Sequence, residues 1–107
     1  IFNVENILLK LNKNFLFFCG GLIGRIILIK IKKKSKPQYI IDNNDLLYEK
    51  KLENIKVKNI NFLKNNIDRF RNSKILICNS ESKSIQDITK QLLKLKIDKK
   101  NILKLPI

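Results

Sequence analysis

The chain has 107 residues and a formal net charge of +14, from 23 Lys and Arg against 9 Asp and Glu. This length allows at most one domain plus an appendage. The absence of His, with only Cys19 and Cys78 as thiols, argues against a zinc site or a disulfide framework. The basic excess is typical of proteins that bind nucleic acid or an anionic membrane. Alternatively, Ile, Lys and Asn have AT-rich codons, so genomic bias alone explains the charge.

Residues 1–14 predict a short helix, because their apolar side chains recur at loosely helical spacing. The apolar run 15–29, FLFFCGGLIGRIILI, follows and contains ten large apolar residues and one charge, Arg25. On an insertion scale these side chains favour the membrane by about 3 to 6 kcal/mol, and Arg25 opposes this by about 3 kcal/mol at most. Arg25 lies towards the end of the run, where its side chain can reach the interface. The run therefore predicts an N-terminal transmembrane helix.

Lysines flank this run unevenly. Only Lys10 and Lys13 precede it, whereas five follow at once: Lys30, Lys32, Lys33, Lys34 and Lys36. By the positive-inside rule we expect a single-pass protein, in a bacterial inner membrane, with everything after the run in the cytoplasm. The lysine-rich link sets the predicted domain boundary, with anchor and linker at 1–36 and a folded domain at 37–107. The alternative is that the run forms a buried helix or strand pair in a soluble protein.

From Pro37 onward, short apolar runs alternate with amphipathic stretches. PQYIID predicts a strand ending at Asp42, SKILIC a buried strand ending at Cys78, SIQDITKQLLKLKI an amphipathic helix and KNILKLPI a last strand. Shorter helices or turns fall between the first two strands. The β-α-β-α-β order predicts an α/β fold with a mostly parallel sheet.

The loop 78–83 joins the predicted strand 74–77 to the predicted helix. Backbone N–H groups at a helix start lack partners, and the helix dipole favours an anion there. We therefore expect a lowered pKa for the Cys78 thiol, with Lys83 adding positive charge. Hydroxyl donors in the loop are Ser80, Ser82 and Ser84. The alternative is that Cys78 is a small inert residue that closes a strand.

The order of these segments resembles a rhodanese-like domain over residues 37–107. In that family a strand ends in an aspartate, which Asp42 matches, and a later strand leads into a C-x-x-G-x-[RK]-[SA] loop, which CNSESKS matches at Cys78, Lys83 and Ser84. The resemblance makes Cys78 the nucleophile, Lys83 the basic loop residue and Ser84 the small residue after it. Related phosphatases have an arginine six positions after the cysteine, where Ser84 stands here. The shorter loop implies sulfur chemistry rather than phosphoryl chemistry.

The resemblance implies a membrane-anchored sulfurtransferase that faces the cytoplasm. Cys78 would take sulfane sulfur from thiosulfate or a protein persulfide and pass it to a thiol acceptor or cyanide. Because a cysteine persulfide is the covalent intermediate, no metal and no organic cofactor is expected. The expected partners are the sulfur donor, the thiol acceptor and membrane lipid, without nucleic acid. The implied active-site loop comprises Asn79, Ser80, Glu81, Ser82, Lys83 and Ser84, supported by Asp42.

Two other functions stay open. Glu81 stands where the family usually has glycine, and the sequence ends at Ile107 without the family's C-terminal helix. Both departures favour a catalytically inactive rhodanese-like binding module on a membrane tether. The net charge also fits a basic RNA- or ribosome-binding protein, although the basic stretches hold few aromatic residues on which bases could stack.

Overall fold

A central, mostly parallel sheet organises the computed structural model, which describes residues 3–11 and 13–105. Its strands are, in chain order, β1 (Leu16–Phe18), β2 (Ile40–Ile41), β3 (Lys51–Leu52), β4 (Ile55–Lys58), β5 (Ile75–Ile77) and β6 (Ile102–Lys104). The order across the sheet is β3-β4-β2-β1-β5-β6, and every neighbouring pair is parallel except β3 with β4. The predicted α/β fold with a mostly parallel sheet is therefore confirmed.

Helices cover both faces of this sheet. They are α1 (Val4–Lys10), α2 (Leu22–Ile31), α3 (Ile60–Asn65), α4 (Ile67–Phe70) and α5 (Ser82–Lys94), with short 3₁₀ turns at Asp45–Leu47 and Lys99–Asn101. Successive strand residues point to opposite faces. Phe17, Ile40 and Leu76 therefore pack against α1 and α2. Their neighbours in the strands pack against α3, α4 and α5. The core is thus divided into two apolar clusters by the sheet.

Asparagine and aspartate side chains start several of the shorter elements. Asn3 accepts a hydrogen bond from the backbone N–H of Asn6 at the start of α1, and Asn59 accepts one from Phe62 at the start of α3. Asn44 and Asp98 cap the two 3₁₀ turns in the same way. Part of the asparagine content therefore serves as helix caps, which satisfy backbone groups that a helix start leaves unpaired.

The apolar run 15–29 forms one strand of this sheet and a helix that packs on it, instead of a membrane helix. Glycines at its centre divide it into β1, which pairs with β2 and β5, and the ten-residue helix α2. Within residues 3–11 and 13–105, no helix has both the length and the apolar content needed to cross a bilayer. The prediction of a single-pass membrane protein with a cytoplasmic domain is therefore wrong. The apolar side chains are instead explained by burial against the sheet.

The predicted boundary between 1–36 and 37–107 falls between α2 and β2. The strands on the two sides of that boundary pair directly, with Phe17 opposite Ile40 and Phe18 opposite Ile41. The lysine-rich link is thus the crossover connection of a β-α-β unit. Parts of the two predicted segments at residues 1–2, 12 and 106–107 lie outside the described residues.

Substitution within the apolar run should distinguish a folded core from an anchor. Phe17 is fully buried in β1, so we expect Phe17→Ala to lower the free energy of unfolding by about 3 to 5 kcal/mol. Urea denaturation in buffer without detergent measures this. The matched control is Leu22→Ala in the same run, which we expect to change stability by about 0.5 kcal/mol or less because Leu22 is 75% exposed. Equal effects of the two substitutions would contradict this core.

Candidate functional site

The carboxyl ends of β1, β2 and β5 meet at one edge of the sheet. From β1 the chain builds outward through β2 to β4, and then crosses to the other side of β1 to form β5 and β6. The strand order therefore reverses between β1 and β5. In open parallel sheets, ligands bind in the crevice outside the carboxyl ends of the strands at such a reversal.

A cleft of about 250 Å³ occupies this position. Asn43, which follows β2, and Gln91 of α5 exchange two hydrogen bonds of 2.8 Å and 3.2 Å beside it. These bonds tie the connection after β2 to α5. The cleft is lined by Phe18, Cys19, Asp42, Asn43, Asn79, Ser84, Asp87 and Ile88.

The turn from β1 into α2 has the sequence CGGLIG, from Cys19 to Gly24. A side chain at Gly24 would be forced against the strand, because a Cβ built there lies 2.5 Å from the carbonyl oxygen of Cys19. A Cβ at Gly21 would meet no atom within 4 Å, so the backbone there borders open space. Cys19 has a positive φ of 85°, a conformation that favours glycine.

These three positions match the G-x-G-x-x-G fingerprint of dinucleotide-binding folds, with Cys19 in place of the first glycine. In that fingerprint the first glycine makes the tight turn, the second lets the backbone approach a diphosphate, and the third lets the helix pack closely on the strand. Each position here meets the corresponding requirement: a positive φ, an open surface and a close contact.

Asp42 follows β2 and points its carboxylate at the same turn. Its Oδ2 accepts a hydrogen bond from the backbone N–H of Gly20 at 2.6 Å, and its Oδ1 accepts one from Asn44 at 2.8 Å. An acidic residue about 20 positions after the glycines binds the ribose hydroxyls in dinucleotide-binding folds. Asp42 lies at that spacing and remains partly exposed in the cleft.

Two helices that begin at the carboxyl edge, α2 and α5, differ from the capped elements described above. Gly21 precedes α2 and Glu81 precedes α5, and neither makes a side-chain capping bond. The first N–H groups of each helix lack partners within the helix, and the helix dipole adds partial positive charge. An anion bound beside Gly21, in front of the first turn of α2, would be stabilised by both effects.

The structure reverses the expected electrostatics of Cys78. Its side chain is buried in the cluster that faces α2, and its Sγ lies 3.6 Å from the carbonyl oxygen of Leu76. Burial raises the pKa of the Cys78 thiol well above its ordinary value, and the nearby Cys19 adds to this. The predicted lowering of the pKa is therefore incorrect, because the sulfur faces packed side chains rather than the start of α5.

Of the other residues in the predicted active-site loop, two line the cleft and four lie on the surface. Asn79 and Ser84 line the cleft, and Asn79 accepts a hydrogen bond from the N–H of Glu81 at 2.8 Å. Lys83 is exposed and pairs with Asp87 at 3.2 Å instead of turning towards Cys78. The remaining predicted residues, Ser80, Glu81 and Ser82, are exposed.

Cys19 is the thiol that reaches the cleft. Burial raises the pKa of Cys19 from 9.0 to about 11; a hydrogen bond from Asn79 opposes this rise and the negative charge of Asp42 adds to it. The Nδ2 of Asn79 lies 3.9 Å from the Cys19 Sγ. Both thiols are therefore neutral near pH 7. Within residues 3–11 and 13–105, no cluster of three or more metal-ligating side chains occurs.

The glycine turn is the part of the site that the sequence interpretation missed. The sequence does contain the pattern of such a turn, because CGGLIG follows a short apolar run and Asp42 ends the next predicted strand. The apolar residues on both sides of the glycines led to the prediction of a membrane helix. Asp42 was predicted as a supporting residue of the sulfurtransferase site, and in the structure it lines this cleft.

No protein-family model matches the chain, and no curated protein matches it significantly. Solved structures do resemble it. RSP, a Rex-family repressor, superposes with a TM-score of 0.64 at 18% identity, over 97% of this chain and 50% of RSP. RSP in complex with β-NADH gives a TM-score of 0.61 at 21% identity, over 98% of this chain and 55% of that chain.

A third similar structure is UDP-D-quinovosamine 4-dehydrogenase from Vibrio fischeri. Its TM-score is 0.71 at 18% identity, over 89% of this chain and 79% of that chain. This chain thus spans about half the length of RSP and a larger share of the dehydrogenase structure. At such low identities these similarities establish a Rossmann-like fold alone.

An added methyl group should lower the stability of the fold at Gly24 but not at Gly21. We expect Gly24→Ala to destabilise the fold by about 1 to 3 kcal/mol, because the new Cβ would overlap the Cys19 carbonyl oxygen. Gly21→Ala should leave the melting temperature nearly unchanged, since Gly21 has extended backbone angles and open space around it. Thermal denaturation of both variants tests this, and equal melting temperatures would contradict the close contact.

The raised thiol pKa values predict slow alkylation. At pH 8 a thiol with a pKa near 11 is about 0.1% ionised, against about a quarter for free cysteine. We therefore expect iodoacetamide to label Cys19 about 200-fold more slowly than free cysteine, and Cys78 more slowly still. Mass spectrometry of the native chain, with urea-unfolded chain as control, measures both rates. Rapid labelling of native Cys78 would restore the expectation of a reactive thiolate.

Proposed function

We propose that this domain binds a ribonucleotide with a diphosphate group, of which NAD(H) is the leading candidate, at the carboxyl edge of its sheet. The observation that carries this proposal is the glycine turn between β1 and α2. Its positions meet three separate steric requirements of a diphosphate-binding turn. Neither a membrane anchor nor an ordinary β-α connection requires these three properties together.

The diphosphate would lie against the start of α2. Gly21 is exposed and borders open space, so phosphate oxygens can approach the backbone N–H groups there. The missing side-chain cap at Gly21 leaves those donors available, and the helix dipole favours the negative charge. The side chain of Leu22 is 75% exposed, so it does not cover the turn.

The ribose would lie beside Asp42. A carboxylate accepts hydrogen bonds from the two ribose hydroxyls but repels a phosphate on the 2′ position. We therefore expect NAD(H) to bind in preference to NADP(H). One of the structurally similar proteins, RSP, was solved in complex with β-NADH, which supports this choice of probe. The proposal is a binding function and assigns no reaction to the domain.

The sulfurtransferase hypothesis stays an untested prediction, as does its inactive variant. The burial and the raised pKa of Cys78 count against a reactive thiolate. Incubation with thiosulfate followed by intact-mass measurement decides the matter. Gain of one sulfur on Cys78, lost in Cys78→Ser, would support the sulfurtransferase hypothesis, and no gain would exclude it.

Calorimetric titration with NAD⁺, NADH, NADP⁺ and a UDP-sugar tests the nucleotide proposal. We expect Gly21→Ala to weaken NAD⁺ binding by about tenfold or more, because its methyl group would occupy the diphosphate position while the fold remains intact. Tenfold corresponds to about 1.4 kcal/mol.

Asp42→Asn should mainly reduce the preference for NAD⁺ over NADP⁺, since it removes the charge that repels a 2′-phosphate. The matched control is Asp45→Asn, which removes an exposed carboxylate three positions away that does not line the cleft. If the unaltered chain binds none of these ligands at millimolar concentration, or if Gly21→Ala binds NAD⁺ normally, the proposal is wrong.

A further inference from the structure

The basic residues of the chain are concentrated at the opposite edge of the sheet. In a parallel sheet, each connection from a helix into the next strand lies at the amino edge. The turn between β3 and β4, which contains Glu53, lies at this edge too and is not counted in the segments below. The connections into β1, β2, β5 and β6, with the last residues of the preceding helices, cover residues 10–15 (residue 12 aside), 30–39, 69–74 and 94–101. We call these four segments the basic edge.

The basic edge contains 14 of the 23 Lys and Arg and one of the 9 Asp and Glu. The rest of the chain therefore carries nine basic and eight acidic residues and is nearly neutral. The basic residues concerned are Lys10, Lys13, Lys30, Lys32, Lys33, Lys34, Lys36, Arg69, Arg71, Lys74, Lys94, Lys96, Lys99 and Lys100.

A compositional bias does not account for this distribution. Codon bias raises the number of lysines but does not select one edge of a folded sheet. Helix dipoles favour basic residues in the last turn of a helix, which applies to Lys10, Lys30, Arg69 and Lys94. It also applies to Lys32 and Arg71, the C-cap residues of α2 and α4. The other eight lie in the connections beyond these helix ends.

Ion pairs neutralise only part of the basic edge. Among the described residues, acids outside these four segments pair with at least three members of the edge: Glu53 with Lys32 at 3.5 Å, Glu5 with Lys34 at 3.2 Å, and Asp68 with Arg71 at 3.1 Å. These pairs are solvent-exposed, so each contributes little to stability. The edge therefore keeps a large positive charge that its own fold does not require.

A cleft of about 280 Å³ opens within the basic edge, between the starts of β1 and β5. The Arg69 guanidinium at this cleft stacks 5.5 Å from the Tyr39 ring centre and 4.8 Å from that of Phe70. Stacking restricts this side chain while leaving its N–H donors available. The cleft is lined by Lys13, Asn14, Arg69, Asn72 and Ser73, a set of donors suited to a phosphate group.

We propose that the basic edge binds the phosphate backbone of nucleic acid. The molecule measures 30 × 28 × 27 Å, so its edge is as long as a piece of duplex with about eight phosphates on each strand at about 3.4 Å of axis each, and part of these phosphates would face the protein. The lysines lie in four neighbouring connections, which extends the charge along a line. Exposed aromatic rings are scarce here, so the contact is expected to be independent of base sequence. This surface is separate from the proposed nucleotide cleft.

An anionic membrane is the competing partner. A membrane-surface site combines basic residues with apolar side chains that enter the lipid. Among the described residues, the strongly exposed large apolar side chains lie outside the basic edge, although three adjoin it. They are Leu9, Leu22, Ile29, Leu46, Tyr48 and Leu93. The absence of such residues from the edge itself favours nucleic acid.

Fluorescence anisotropy with a labelled 20-nucleotide RNA and a 20-base-pair DNA, at several salt concentrations, tests this proposal. The edge variant carries one substitution in each of three connections: Lys13→Gln, Lys36→Gln and Lys99→Gln. These side chains are exposed, so the fold should persist. We expect binding at 100 mM salt to weaken by about tenfold or more, and the slope of log K against log salt for the DNA to fall by about 2 to 3.

The matched control removes the same charge away from the edge, by Lys50→Gln, Lys90→Gln and Lys104→Gln. All three are exposed. We expect less than a threefold change in affinity and an unchanged slope. Should the edge variant fail to fold, the double variant Lys33→Gln with Lys100→Gln replaces it. We then expect a smaller loss of affinity and a smaller fall in the salt slope, because two charges are removed instead of three.

Three outcomes would overturn the proposal. The first is an equal loss in the edge and control variants, which would mean that net charge alone attracts nucleic acid. The second is no binding by the unaltered chain at 50 mM salt. The third is edge-dependent binding to phosphatidylglycerol vesicles without edge-dependent binding to RNA or DNA. Excess NAD⁺ should not compete, because the two surfaces lie at opposite edges.

Discussion

The close approach of α2 to the end of β1 is the constraint on which the rest of the structure depends. Gly24 allows it, because any larger side chain would meet the Cys19 carbonyl oxygen at 2.5 Å. The contact places Ile27, Leu28 and Ile31 of α2 over the same cluster as Phe17 and Leu76. It also determines where α2 begins and so where its unpaired N–H groups point. Core packing and the candidate site thus share one steric requirement.

The two proposed binding sites, at opposite edges of the sheet, would attract anions by different physical means. In the cleft at the carboxyl edge the charged lining residues are Asp42 and Asp87, so attraction would come from backbone N–H groups and helix dipoles over a few ångströms. At the amino edge, attraction comes from lysine and arginine side chains and extends over about a Debye length of 8 Å in physiological salt. The first arrangement selects one small ligand by geometry. The second favours an extended polyanion and is sensitive to salt.

Much of the fold after Pro37 was predictable, because its elements carry local signals. The runs ending at Asp42 and Cys78 form β2 and β5, as patterns among neighbouring residues indicate. The N-terminal third was not predictable in this way. There β1 is buried on both faces and α2 presents an apolar side to the sheet, so residues 15–29 have the composition of a membrane helix. The strand order arises from long-range pairing of β1 with β2 and β5, which no local pattern contains. The candidate site lies where this order reverses, so its position was not predictable either.

The two cysteines show why the sulfur and nucleotide hypotheses exclude each other at one site. Cys19 and Cys78 end neighbouring strands, and the N–H of Cys78 donates to the carbonyl oxygen of Phe18 at 2.8 Å. A persulfide or thiolate at either position would place negative charge beside the start of α2, where it would repel a diphosphate. Burial keeps both thiols protonated and so removes this repulsion. Cys19 accepts a positive φ, at a cost of about 1 kcal/mol, and contributes a neutral wall to the cleft. The environment that makes these sulfurs poor nucleophiles is therefore compatible with the anion-binding turn proposed for the start of α2.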